Sequence, residues 1–104
     1  MNVAGYIETD LSFDEFARTF THSEWSTNAG RYAIQLCGPL GECKFVRNED
    51  GYLLDDGIEA ADVMAAARSL SAQLSSQGLR HQLEVYDVED KLVLYLHHNW
   101  PLAG

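Results

Sequence analysis

The sequence predicts an α+β fold: a two-layer sandwich of mainly antiparallel sheet with one short and one long helix, in the order β-α-β-β-β-α-β-β. Three observations carry this expectation. Between Ile58 and Leu79 apolar residues recur at steps of three and four, as on one face of a helix. From Arg31 to Asp55 and from Arg80 to His98, short β-prone runs are separated by turn residues. The chain has 104 residues, 46% of them hydrophobic, enough for one domain, residues 1 to 104, with a core of its own.

The first strand is expected over Val3–Thr9, with Gly5 as its weak point. Ser12 and Glu15 have capping-box spacing, and Leu11 and Phe16 form the matching hydrophobic staple. Phe13, Phe16, Ala17 and Phe20 then share a helical face, so a short helix runs to about Thr21. His22–Gly30 is polar and irregular and reads as a loop pinned by Trp25. Arg31–Cys37 and Glu42–Asn48 form a hairpin around Gly38-Pro39-Leu40-Gly41. Asn48-Glu49-Asp50-Gly51 turns the chain into a short strand, Tyr52–Asp55.

The long helix is expected over Ile58–Leu79. Ala60, Val63, Ala67, Leu70 and Leu74 make its apolar stripe, widened by Met64; Asp62, Arg68, Gln73, Ser76 and Gln77 fall on wetter faces. Six alanines between Glu59 and Gln73 raise helix propensity and keep the helix thin. Asp56 takes the cap position with Glu59 three residues on. Gly78 ends the helix, and Leu79 sits where a Schellman ending brings it onto Leu74. Arg80–Val88 and Lys91–His98 form a last hairpin around Glu89-Asp90, whose turn lacks glycine. Leu92, Leu94 and Leu96 line one face of the final strand, and Val93 and Tyr95 the other, the mark of a central strand covered on both sides.

From the first helix onward this order of elements resembles that of the type III secretion chaperones. That resemblance lies in the order of elements alone, without a shared motif, and what it implies is a protein-binding role.

The formal net charge is −9, from 16 acidic and 7 basic side chains. Such a field repels phosphate, so nucleic acid and anionic membranes are not expected as partners. No apolar run approaches membrane-spanning length, and Met1–Asp10 lacks the basic start and apolar core of a secretory signal, so a cytoplasmic location is expected.

Glu49, Asp50, Asp55, Asp56, Glu59 and Asp62 fall in a stretch, residues 48 to 67, that holds no Lys or Arg. The run does not fit an EF-hand loop. It reads as a docking patch for a basic protein, as a weak divalent-cation site, or as helix capping and solvated loop. Trp100, near the C-terminus with Pro101 and Leu102, either folds back over the sheet or anchors a partner.

Cys37 and Cys43 flank the Gly-Pro-Leu-Gly turn and become paired neighbours if the loop holds residues 38 to 42, which would allow a cross-strand disulfide or half a zinc site. The chain offers no further ligands at zinc spacing, and two reduced, partly buried thiols are the expectation for a cytoplasmic protein. Of the histidines, His22 and His81 lie elsewhere in the sequence. His97 and His98 are adjacent on a strand and point to opposite faces, and His97 is the first to test for ligand or acid–base chemistry. Phosphate-cradling glycine loops and nucleophile motifs are not found in the sequence, and no cofactor is implied. The leading expectation is a small acidic non-enzymatic module of the inhibitor, immunity-protein or secretion-chaperone type. It docks a basic partner through Glu49, Asp50, Asp55, Asp56, Glu59, Asp62 and Trp100. Its rivals are a metal or small-ligand protein using His97, Cys37 or Cys43, and a homodimer assembled through an exposed edge strand.

Overall fold

The computed structural model describes residues 1–100, and nine elements follow one another along them: β1 (Asn2–Glu8), α1 (Phe13–Arg18), β2 (Ser26–Ala29), β3 (Ala33–Gly38), β4 (Gly41–Asn48), β5 (Gly51–Glu59), α2 (Val63–Ser76), β6 (Arg80–Tyr86) and β7 (Leu92–His98). The fold is α+β, mostly antiparallel sheet with two helices. All seven strands join one sheet in the order β2-β3-β4-β5-β1-β6-β7, and every neighbouring pair is antiparallel.

Local signals set the helix ends. The Ser12 Oγ accepts the Glu15 N–H at 3.2 Å, and the Glu15 carboxylate accepts the Ser12 N–H at 3.1 Å, the reciprocal box its spacing predicts. At the far end of α2, Gly78 adopts φ +68° and the N–H groups of Gly78 and Leu79 bond back to the carbonyls of Ser75 and Leu74. That is a Schellman ending, with Leu74 and Leu79 buried in the same core.

Four expectations need correction. The polar stretch before Arg31 is not all loop: Ser26–Ala29 pairs with β3 as an extra edge strand, so the order is β-α-β-β-β-β-α-β-β. Its side chains are all exposed, so backbone pairing holds it and no apolar alternation announces it. The likeness in order to the secretion chaperones required three strands between the helices, and there are four. Second, β5 does not stop at Asp55. Opposite Cys43 and Lys44 it carries a bulge in which Asp56 and Gly57 take φ of +62° and +72°, and pairing resumes at Ile58 and Glu59.

Third, α2 therefore starts later than Ile58. Its cap is Asp62, which accepts the Ala65 N–H at 3.0 Å, and neither Asp56 nor Glu59 caps anything. Gln73, assigned to its wetter side, reaches across instead: its Nε2 donates to the Thr19 carbonyl at 2.7 Å, tying α2 to the end of α1. Fourth, the apolar strand β7 is not central but lies at the edge of the sheet.

Alternation along the strands sends Val3 and Ile7 (β1), Ile34 and Leu36 (β3), Phe45 (β4), Tyr52 (β5) and Leu83 and Val85 (β6) into one core with Phe16 of α1 and Leu70 and Leu74 of α2. Phe16 stacks on Tyr52 at 4.3 Å and meets Phe45 edge-on at 5.9 Å. The Tyr52 hydroxyl donates to the Leu11 carbonyl at 2.6 Å, so the strand also holds the entry to α1. Trp25 is buried and lies under Gly38, where an added Cβ would meet its indole at 3.0 Å.

Ser12→Ala removes a formed cap and should lower stability by about 1 kcal/mol, read from the urea midpoint. Gly51→Ala should cost more, about 3 kcal/mol or above, because its Cβ would fall 1.7 Å from the Ile7 carbonyl oxygen. A midpoint unchanged in Gly51→Ala would show that β1 and β5 are not held at this separation.

Candidate functional site

Carboxylates gather where β4 and β5 run towards α2. Glu42 of β4 stands directly opposite Glu59 of β5, a like-charge cross-strand pair that is destabilising unless neutralised from outside. Cys37 of β3 is the next partner in the row, its thiol 3.7 Å from the Glu42 carboxylate. Burial and Glu42 together raise the Cys37 thiol pKa above its ordinary value. Asp56 sits on the adjoining bulge, in a left-handed conformation that Asp tolerates better than most side chains. Lys44 is spent on its own neighbour: its Nζ lies 3.2 Å from the Asp55 carboxylate, across the ladder. Both are half exposed, so the pair contributes at most about 1 kcal/mol. A shallow groove of about 480 Å³ runs beside this end, lined by Cys37, Pro39, Leu40, Glu42, Glu59 and Ala60. Its floor is tight, for a Cβ on Gly41 would lie 2.7 Å from both Ala60 Cβ and the Glu59 carbonyl.

The acidic run of the sequence is thus divided. Asp55, Asp56 and Glu59 come together at the bulged end of β5. Glu49 and Asp50 form the turn at its other end, separated by roughly 17 Å of extended chain. There they join Glu8, Asp10 and Arg47 around a second open depression. Asp62 is committed to the α2 cap. The sequence reading missed Glu42 and Glu8, which reach these groups only through strand pairing. The hairpin offered one clue: a two-residue turn at Pro39-Leu40 puts Glu42 opposite Cys37 and turns its side chain to the same face.

That tight turn also corrects the cysteine expectation. Gly38 pairs with Gly41, so Cys43 faces Leu36 rather than Cys37. One residue of register places the two thiols on opposite faces of the sheet. Cys43 points into the core, where burial pushes its pKa up to about 12. His97 lies at the far side of the sheet, opposite Gln82 and stacked on Tyr95 at 5.1 Å. Four strand spacings, roughly 19 Å, separate β7 from β4, so His97, Cys37 and Cys43 do not share a site. Among the described residues, no three His, Cys, Asp or Glu side chains converge as metal ligands.

Trp100 folds back over the sheet. Its ring meets Tyr6 edge-on at 5.6 Å, and the Arg80 guanidinium lies 5.3 Å from its centroid. Arg80 also pairs with Glu8 at 3.1 Å. Pro101 and Leu102 lie outside the described residues.

A buried pair escaped the sequence reading altogether. His81 is fully buried on the core face of β6, and Ser71 of α2 lies against it. A carbonyl only accepts, so the His81 Nδ1–H donates to the Leu79 oxygen at 2.8 Å. Nε2 of the neutral ring then accepts the Ser71 hydroxyl at 2.7 Å. The geometry is that of a serine–histidine dyad, but both groups are sealed beneath α2, and the bond joins helix to sheet.

Comparison with protein-family models, with curated proteins and with solved structures gave no match. Among the described residues no helix is long and apolar enough to cross a membrane.

Burial holds the His81 pKa below its ordinary 6.5, with His98 and His97 adding to the effect against the Leu79 hydrogen bond. The unfolded chain therefore binds a proton that the folded chain refuses. The stabilisation is complete above pH 6.5 and declines as the pH falls below it towards the depressed folded value. Urea midpoints measured from neutral pH downward should fall more steeply for the native chain than for His81→Gln. Ser71→Ala strands the Nε2 acceptor and should lower stability by about 1–3 kcal/mol. Equal slopes in the two proteins would remove His81 as the titrating group.

Proposed function

We propose that this chain is a non-enzymatic protein-binding module that docks a basic polypeptide at the bulged end of β5. The observation that carries the reading is the opposed pair Glu42 and Glu59 with Asp56 beside it. Among the described residues, none of these three carboxylates has an ion-pair partner. Two opposed carboxylates cost the folded state something, and a Lys or Arg from another chain relieves that cost. The adjoining groove, with Pro39, Leu40 and Ala60, offers apolar contact for the stem of such a side chain. In the two-layer arrangement we favour, both helices cover one face of the sheet, and the carboxylates and Trp100 lie on or beside the uncovered one. Docking of this kind would serve an inhibitor, an immunity protein or a secretion chaperone alike. The two thiols cannot bridge each other and suit a reducing compartment such as the cytoplasm.

The test is retention of host-cell protein on the immobilised chain at low and high salt. A basic polypeptide should be held at low ionic strength and released at about 0.5 M salt, where charges are screened beyond roughly 4 Å. Glu42→Gln, Asp56→Asn and Glu59→Gln combined should weaken that binding about tenfold, since three exposed charge contacts of about 0.5 kcal/mol each sum to about one decade. Asn keeps the left-handed bulge accessible, so the variant should fold. Glu49→Gln with Asp50→Asn, at the other end of β5, should leave binding unchanged. If the triple variant binds as tightly as the native chain, the bulged end is not the interface.

A further inference from the structure

The strand whose composition predicts a central position stands at the edge. β7 pairs only with β6, and its outer backbone groups have no partner among the described residues. Its side chains are apolar on both faces from Leu92 to Leu96, and Leu92 and Val93 are 51% and 43% exposed. Edge strands normally resist pairing through shortness, lysine, proline, a bulge or a covering segment. The opposite edge does so: β2 is four residues long, polar at Ser26, Thr27 and Asn28, and exposed throughout. β7 has seven residues, no proline, and no charged residue between Leu92 and Leu96, and its one irregularity lies at the Leu92 end, leaving Leu94–His98 regularly paired. Among the described residues, the chain leaving it does not cover it either. Asn99 turns at φ +54° and Trp100 packs on Tyr6 and Arg80, inward over the sheet and away from the outer edge.

We infer that β7 is an assembly edge, and that its occupant is β7 of a second copy, paired antiparallel across a two-fold axis. Three features select a second copy over a foreign strand. An antiparallel pair of identical strands is self-complementary, as a two-fold interface must be. For the core faces to stay on the same side of the joined sheet, directly opposed residues must share a face, so the axis passes through one residue. An axis at Leu94 sets Val93 against Tyr95 and Leu94 against itself, while the register shift beyond Leu94, where Leu92 rather than Val93 pairs with Tyr86, leaves Leu92 outside this ladder. Moving the axis to Tyr95 brings His97 against Val93, and moving it to Val93 places it on the irregular step of the strand. The charge balance also permits it: the chain carries −9 overall, yet Lys91 to Trp100 contains no carboxylate, so the strand itself brings no like charges together. The result is a continuous fourteen-stranded sheet with one β2 edge at each end.

A strand-to-strand contact of this length is below the usual size of a stable interface, so the dimer should dissociate on the order of micromolar concentrations. The test is the solution mass of the full chain across a concentration series. The mass should rise from 11.6 kDa towards twice that value. Val93→Lys, at an exposed position, should remain folded by circular dichroism and stay at the monomer mass throughout. Leu92→Lys serves the same purpose should Val93→Lys fail to fold. Register is read separately in a Cys37→Ser background. Leu94→Cys should form an intermolecular disulfide under mild oxidation, and Val93→Cys should do so much more slowly. A native chain monomeric at hundreds of micromolar overturns the proposal. So does a dimer that survives both lysine substitutions, or one that cross-links no faster through Leu94→Cys than through Val93→Cys.

Discussion

The fold depends on the insertion of β1 between β5 and β6. Without it the chain is a four-stranded meander, β2 to β5, and a separate hairpin, β6 to β7. β1 pairs with β6 over its full length, Asn2 against Tyr86 through Glu8 against Arg80, and with β5 over its last three residues. The close approach at Gly51 permits the β5 contact. Gly5, the weak point of the strand by propensity, is the other half of the fit. A Cβ there would lie 2.6 Å from Leu83 and 3.2 Å from Leu54, so the missing side chain is the space those leucines fill. The sequence neighbours of β1 contribute nothing to its pairing, and the sheet is joined only through its contacts with the middle of the chain at β5 and the C-terminal part at β6.

Charge and strain meet at one place in this sheet. The β5 bulge sets two successive residues, Asp56 and Gly57, in left-handed conformations, and it restores pairing in time to oppose Glu42 and Glu59. Bulges redirect side chains and end regular pairing, and they recur beside functional surfaces. Here the extended run of β5 divides a linear acidic segment into two groups, and the bulge sets Asp56 beside Glu59 in one of them. Lys44, the cation nearest the bulge, is held by Asp55, which leaves the other carboxylates exposed to an external cation.

Several polar groups are met by side chains, although the buried Trp25 Nε1 and Arg80 Nε have no partner among the described residues. Ser71 satisfies His81, and Gln73 closes the link from α2 to α1. At the β6–β7 turn, Asp90 adopts φ +60° where a glycine would be ordinary, while the Asp87 carboxylate accepts the N–H groups of Glu89 and Lys91 at 2.8 and 3.0 Å. These side chains replace backbone partners that the turn cannot supply.

How much of this was legible follows from the range of each interaction. The capping box at Ser12, the Schellman ending at Gly78, the apolar face through Leu70 and Leu74, and the alternation of β3, β4 and β6 are written within a few residues of chain. Any reading of helical and extended periodicity finds them, and with them the α+β class. Strand order, the exposure of β7, the pairing of Ser26–Ala29 and the meeting of Glu42 with Glu59 are not written locally. A strand's side chains state which faces are apolar but not which strands will lie beside it. The sequence by itself determined that this chain folds as helices packed on hairpins under a strong negative charge. Only the tertiary structure decided which carboxylates face each other and which apolar strand is left at the edge, because backbone pairing between distant segments is blind to the side-chain pattern that makes each segment recognisable.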